Sequence, residues 1–262
     1  MIINYQMMNN QAIALYTIVR REIVRMLRIS SQTFLPPVIT TTLYFLIFGA
    51  VIGDRIGPVA NHPYTTFIAP GLIIMGVITN AYSNVATSLF SLRFQRSIEE
   101  LLVSPMHWSI MLSGFILGGM IRGLLVAFLI TIASSFFVEL HVFKHLPMAF
   151  LVLLLVSLIF SLAGFLNGMM ARTFDDVAFV PTFVLTPMIY LGGVFYSTNM
   201  LPLLWQKVTF FNPIYYMVHA LRHIMLGTGE SILQDLMMMT VIFLGLFIAT
   251  ALLIKKGIGL RG

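Results

Sequence analysis

Apolar residues gather along this chain into six long runs, at about 34–52, 66–91, 108–138, 147–171, 177–197 and 236–254, separated by shorter polar stretches. A helix needs about 20 apolar residues to cross a hydrocarbon core roughly 30 Å thick, so each run predicts one membrane-spanning helix. The third run exceeds one membrane thickness and is expected to tilt or protrude. Pro36 and Pro37 fall in the first turn of the first run, where a missing N–H costs little, so they predict a helix start. The alternation of an outer-membrane barrel, in segments of about ten residues, does not recur, and an open sheet would leave backbone groups unpaired in lipid. The fold class is therefore all-α and integral to the membrane, a single transmembrane domain over 1–262.

Two stretches outside the runs keep a helical period. In 12–30, Arg21, Arg25 and Arg28 recur at i, i+4, i+7, with Ile13, Tyr16, Ile23 and Leu27 largely opposite. That pattern predicts an interfacial amphipathic helix; the plainer reading is a basic flank that orients the first span. The region 198–235 is apolar and aromatic, but Pro202, Pro213 and several charges prevent one clean span. Two short helices, 200–209 and 213–226, broken at Asn212-Pro213, are expected to dip into the outer leaflet and return. A seventh span here would instead carry Lys255 and Lys256 to the outside.

Composition and charge sharpen this picture. The chain is 59% hydrophobic with a mean hydropathy of +0.96, has no cysteine for a disulfide, iron–sulfur cluster or thiol nucleophile, and carries a net charge of +6. Most of that charge lies beside apolar runs, as orientation signals do, which argues against nucleic acid as a partner. With the N-terminus inside, the inner segments hold Arg20, Arg21, Arg25, Arg28, Arg93, Arg96, Arg172, Lys255, Lys256 and Arg261, against Arg55, Lys144, Lys207 and Arg222 outside. Both termini are thus expected in the cytoplasm. The first long run begins near Phe34, too deep and too long for a cleaved signal peptide.

Candidate chemistry is sparse. The strings GxxxxGK[ST], HExxH and GxSxG are missing from the sequence, leaving no phosphate cradle, zincin site or nucleophile elbow. Two HxxxH pairs, His141 with His145 and His219 with His223, have a spacing that suits zinc, but neither has a carboxylate within a turn that would complete an obvious site, so interfacial polar residues are expected and no metal. Asp175 and Asp176 lie in a short turn beside Arg172, where helix capping and charge pairing account for them. Arg122 is deep within the third span and must face the bundle interior or a wet cavity. It contacts either an anionic substrate or polar groups of the bundle. Asn80, Asn84 and Thr87 form an i, i+4, i+7 stripe on the second span that either joins helices by hydrogen bonds or lines a path for something amphiphilic. An ion-coupled transporter or channel would be expected to have a broken helix or a carboxylate near the midplane, and the nine acids are read as lying near span ends or in loops.

The stretch RFQRSIEELLVSP, 93–105, places Phe94, Ile98, Leu101 and Leu102 on one apolar helical face. Ser97 and Glu100 fit a capping box and Pro105 a stop. A two-turn helix is marginal in water unless something packs on it, so the stretch either binds a partner or lies on the membrane as a solvated turn.

Five segments in this order, REIVRMLRISSQTFLPPVI, FIAPGLIIMGVITNAY, RFQRSIEELLVSPM, TFDDVAFVPTFVLTPMIYLGGVFYS and FNPIYYMVHALRH, span nearly the whole chain. In them the sequence resembles the type 2 ATP-binding-cassette (ABC) exporter permeases, most closely the YadH-like inner-membrane permeases. That resemblance implies a half-transporter in the bacterial inner membrane with an N-terminal interfacial helix and re-entrant outer helices before the last span. Two copies would form the pore, and two separate ATPase subunits, which hold the ATP and Mg, would dock from the cytoplasm. The stretch 93–105 resembles the family's coupling helix, which makes Arg93, Arg96, Ser97, Glu99, Glu100, Leu101 and Leu102 the docking candidates. Asn80, Asn84, Thr87 and Arg122 are the candidates for the translocation path, for an amphiphilic, lipid-linked or drug-like cargo moved outward.

Overall fold

The computed structural model describes residues 2–138, 145–227, 231–257 and 259. Six helical segments in it are long and apolar enough to cross a membrane: Ser30–Gly49, Tyr64–Phe94, Trp108–Ser135, Leu146–Met170, Phe174–Leu191 and Ile232–Lys255. We label the helices α1 (Ile2–Arg28), α2 (Ser30–Tyr44), α3 (Gly53–Ile56), α4 (Tyr64–Phe94), α5 (Ile98–Val103), α6 (Trp108–Ser135), α7 (Leu146–Met170), α8 (Phe174–Phe179), α9 (Thr186–Leu191), α10 (Leu203–Phe210), α11 (Pro213–Leu226) and α12 (Ile232–Lys255). No strand forms among the described residues.

Helix α4 is the axis of the bundle, with most of its residues from Phe67 to Phe90 buried, and α6, α7 and α11 pack around it. Glycines set how closely they approach. Gly164 and Gly168 of α7 lie against the backbone of Tyr82 and Ala86 on α4, and Gly119 and Gly123 of α6 lie against Ala81, Val85 and Ser157. Small residues at i, i+4 let helix backbones meet, which in lipid replaces the hydrophobic drive that water would supply. By contrast α2, the α8–α9 segment and α12 bury only about a fifth of their residues, so their apolar faces look away from the chain's own core.

Two segments depart from the helical period expected of them. The first span begins at Ser30, six residues before Pro36, so both prolines lie inside α2 and do not mark its start. Neighbouring helices allow such interior prolines in membrane spans. The fifth widens to a π-helix at Val180–Leu185 and ends at Leu191, short of the expected 197. Pro181 and Pro187 lack the N–H that an α ladder needs, and Thr186 reaches back to the Pro181 carbonyl with both its amide and its hydroxyl.

At the opposite end of the bundle from α5, α10 and α11 break at Asn212-Pro213, as the dipeptide predicts. The Asn212 side chain accepts from the Ile214 amide at 3.0 Å and its own amide donates to the Met188 carbonyl. Replacing it by Ala should cost about 1 kcal/mol, the usual worth of an N-cap. A thermal midpoint that does not move in Asn212→Ala would refute this role.

Arg222, read from sequence as an outer-segment charge, is buried: it donates to the carbonyls of Phe67 (3.3 Å), Gly193 (2.8 Å) and Val194 (3.4 Å), and sits 3.8 Å over the Phe67 ring. It bolts α11 to the start of α4. His219 pairs with Asp235 of α12 at 2.7 Å and stacks on Tyr215, which accounts for one member of the second HxxxH pair. His141 of the first pair lies outside the described residues. Among the described residues no three His, Cys, Asp or Glu side chains converge as a metal site.

Candidate functional site

The polar centre of the bundle is assembled where α1 lies on α6. Residues Ile18, Glu22 and Met26, at i, i+4, i+8, form one face of α1, and all three are buried. Ile18 and Glu22 fit into the notches left by Gly114 and Gly118. The opposite face, with Ile13, Tyr16 and Leu27, is exposed, as an interfacial helix requires.

Glu22, ahead of the first span in the chain, is therefore buried where α1 meets α4 and α6, which its sequence position did not reveal. The sequence pattern drew attention to the arginine stripe, whereas the notch in α6 selects the adjacent face. The Glu22 carboxylate is 1% exposed. It accepts from Ser88 Oγ of α4 at 2.6 Å, from Arg25 at 2.7 Å and from Arg21 at 3.4 Å. Arg25 also donates to Asn84, at 2.8 Å to Oδ1 and 3.1 Å to the backbone carbonyl. From α6, Arg122 reaches Asn84 Oδ1 at 3.5 Å and Asn80 Oδ1 at 3.3 Å. Three helices thus meet on one face of α4 through one carboxylate, two asparagines and two central guanidiniums. Asn80 and Asn84 join helices here. Thr87 stands apart, exposed, its hydroxyl bonded at 2.6 Å to the Ser83 carbonyl of its own helix.

Two grooves flank this network along α4. One, of about 310 Å³, runs between α2 and α4 and has a polar lining that includes Thr33, Thr40, Thr41, Thr79, Asn80 and Arg122. The other, of about 320 Å³, lies nearer the α5 end and is lined by Tyr82, Ala86, Thr87, Phe90, Phe174, Val177 and Pro181 among others. Ser83 lines both. Phe90, Phe94 and Phe174 cluster at this end in tilted and edge-to-face contacts, with ring centroids 4.8 to 6.0 Å apart. At the far end of the bundle a cavity of about 930 Å³ is bordered by His62, Phe137, His145, Met148 and Met225 among others.

The α5 stretch is a separate short helix. Its geometry differs from the expected capping box: Ser97 is in the helical region (φ −68°, ψ −13°) and its side chain makes no cap bond. An N-cap hydroxyl reaches the third helical amide from extended backbone, and the preceding turn, with Arg96 at φ 59°, does not leave Ser97 there. Ser104 is extended ahead of Pro105, which ends the helix. Ile98 is buried among Leu89, Met111, Leu112 and Phe165, so part of the apolar face holds α5 to its own bundle. Arg96, Glu99, Glu100 and Val103 are exposed, Leu101 is half-buried, and the side chain of Leu102 lies outside the described residues. Arg93 turns inward and donates to the carbonyls of Gly168 (3.0 Å) and Ala171 (2.8 Å) at the end of α7. Asp176 closes a capping box with Thr173 and also accepts from the Arg172 amide.

Sequence reasoning missed Glu22 and the glycine notches. The signal was present in the GxxxG strings at 114/118, 119/123 and 164/168, a pattern that marks close helix contacts in apolar segments. One of them seats Glu22.

Comparison with known proteins agrees with this architecture. Residues 13–226 match the ABC-2 type transporter domain. The chain is 49% identical over 256 residues to the inner membrane transport permease YadH of Escherichia coli (strain K12), covering 97% of this chain and 100% of the relative. It is 26% identical over 186 residues to nodulation protein J of Rhizobium leguminosarum bv. viciae, covering 71% of each chain, and 24% identical over 216 residues to nodulation protein J of Rhizobium meliloti (strain 1021), covering 80% of each.

Proposed function

The chain belongs to the ABC-2 type transporter family, and from that premise we propose that it exports an amphiphilic, lipid-linked or drug-like cargo across the inner membrane. As a multi-pass permease subunit of an ABC transporter it works with a separate ATP-binding subunit. In our reading two copies of this chain meet through the exposed apolar faces of α2 and the α8–α9 segment, and two ATPase subunits, which bind the ATP and Mg, dock at the α5 end. Both termini then face the cytoplasm.

The observation that carries this reading is α5. It is anchored by Ile98 and tied to α4 through the tight turn at Arg96, while it presents two carboxylates, an arginine and Val103 to solvent. A helix held on one side and polar on the other can take up motion of a docked protein as a lever, where a solvated loop would absorb it. Closure of the ATPase dimer on ATP would move α5 and with it α4, whose grooved face changes its exposure from the inner to the outer side.

The test is co-purification from membranes that also contain the ATPase. Glu99→Lys combined with Leu101→Asp is expected to reduce the bound ATPase about tenfold or more, since reversed charge and a buried carboxylate each cost an interface several kcal/mol. Unchanged complex and unchanged transport would discard the docking role.

A further inference from the structure

Arg122 has no carboxylate of its own. Glu22, the acid at the centre of the network, is engaged by Arg25, Arg21 and Ser88, and no ion pair to Arg122 forms among the described residues. Its two contacts, at 3.3 and 3.5 Å, are with amide oxygens and sit at or beyond the long edge of hydrogen bonding, and its buried Nε has no partner. A guanidinium held among spanning helices with such weak company favours an anionic group, because a paired charge is far less costly there than an unpaired one.

The space beside it fits that need. Arg122 lines the polar groove, where Thr33 contributes a buried hydroxyl that is also without a partner. Ser83 lines both this groove and the aromatic one, whose walls at Phe90 and Phe174 offer nothing charged. Each groove is at the lower bound of small-ligand sites, roughly 300 Å³, so neither encloses a long amphiphile but together they accommodate its two halves. A cation would be repelled at Arg122, and a neutral chain would leave it unpaired.

We propose that the cargo is an anionic amphiphile, with its phosphate or carboxylate group at Arg122 and its acyl or prenyl chain in the aromatic groove against Phe90 and Phe174. This rests on the permease reading but is tested on the permease alone.

The chain, with Trp108 and Trp205 changed to Phe and Phe94→Trp as a reporter beside the aromatic groove, 5.1 Å from the Phe174 ring, is placed in nanodiscs of phosphatidylcholine. Quenching of the reporter is followed as lysophosphatidate or monoacylglycerol is added, each with the same brominated chain, and separately as inorganic phosphate competes. Lysophosphatidate should bind at least about tenfold more tightly than the neutral lipid, the worth of one charge-assisted pair. R122Q should abolish that preference and R122K should keep part of it. Ala178→Phe, which fills the aromatic groove without touching Arg122, should weaken lysophosphatidate about fivefold or more, and serves if R122Q does not fold.

Equal quenching by both lipids, a preference that survives R122Q, or binding indifferent to Ala178→Phe overturns the proposal. Competition by millimolar inorganic phosphate would assign the site to a free anion instead and also overturns it. If the ATPase still co-purifies while the lipids bind equally, only this inference falls; the reverse pattern spares it and discards the transporter assembly.

Discussion

Glu22→Leu is expected to destabilise the folded chain by about 3 kcal/mol, the low end for breaking a buried ion pair, because Arg25 and Arg21 each keep about a third of their side-chain surface exposed. The leucine would leave Arg25 facing Asn84 without its carboxylate and would strand the Ser88 hydroxyl inside the bundle. Its branched side chain would also press on Gly118, where space is already tight around Glu22 Cβ. For a chain of this size that loss corresponds to a fall of about 6–12 °C in the thermal midpoint, measurable by fluorescence in detergent. Glu22→Gln keeps the shape and one acceptor and should lose less. A double-mutant cycle with Ser88→Ala separates the two partners. If Glu22→Leu melts with the native chain, the network contributes nothing to stability and the placement of α1 is wrong.

Gly164→Val should be the more damaging change. A side-chain atom at residue 164 would meet the carbonyl group and Cα of Tyr82, which are backbone atoms of the central helix and cannot rotate aside. Relief requires α4 and α7 to separate over several turns, which also disturbs the neighbouring contact of Gly168 with Ala86. Overpacking commonly costs about 1–3 kcal/mol, and with no flexible neighbour the cost here should reach or exceed about 3 kcal/mol. The expected observation is loss of most folded protein in a size-exclusion profile. Gly245 of α12 supplies the contrast. Nothing lies within 4 Å of a side chain there, so Gly245→Ala should be neutral or stabilise by up to about 1 kcal/mol, from helix propensity. Equal behaviour of the two variants would mean that the glycines of α7 set no helix distance.

These two positions also mark where the sequence stopped being legible. The six spans could be read because about twenty apolar residues in a row have few alternatives in a membrane, and the break between α10 and α11 because Asn-Pro caps one helix and opens the next without help from elsewhere. The resemblance across five segments carried the family, and the domain match agrees with it. The fine geometry of α5 was less accessible: its start and stop follow from local residues, but whether Ser97 caps depends on the turn at Arg96, and whether Ile98 faces outward depends on α6 and α7.

Among the path candidates, the i, i+4 spacing of Asn80 and Asn84 placed both on one face of α4, yet left two roles open. The structure gives each of them a guanidinium partner and leaves Thr87 beside the aromatic groove. Arg93, a docking candidate by position, spends its donors on the end of α7.

By itself, then, the sequence determined the class of the protein, the number of its spans, the break at Asn212-Pro213 and that Arg122 must avoid lipid, because each of these follows from the local chain in contact with a membrane. Only the tertiary structure decided that Glu22 and Arg222 are buried, that Arg93 faces inward and that a polar groove and an aromatic one lie on either side of Ser83. A polar side chain is fixed by whichever backbone lies opposite it, and those partners, from Glu22 to Ser88 and from Arg222 to Phe67, are separated by tens of residues in the chain and brought together by glycine contacts between helices.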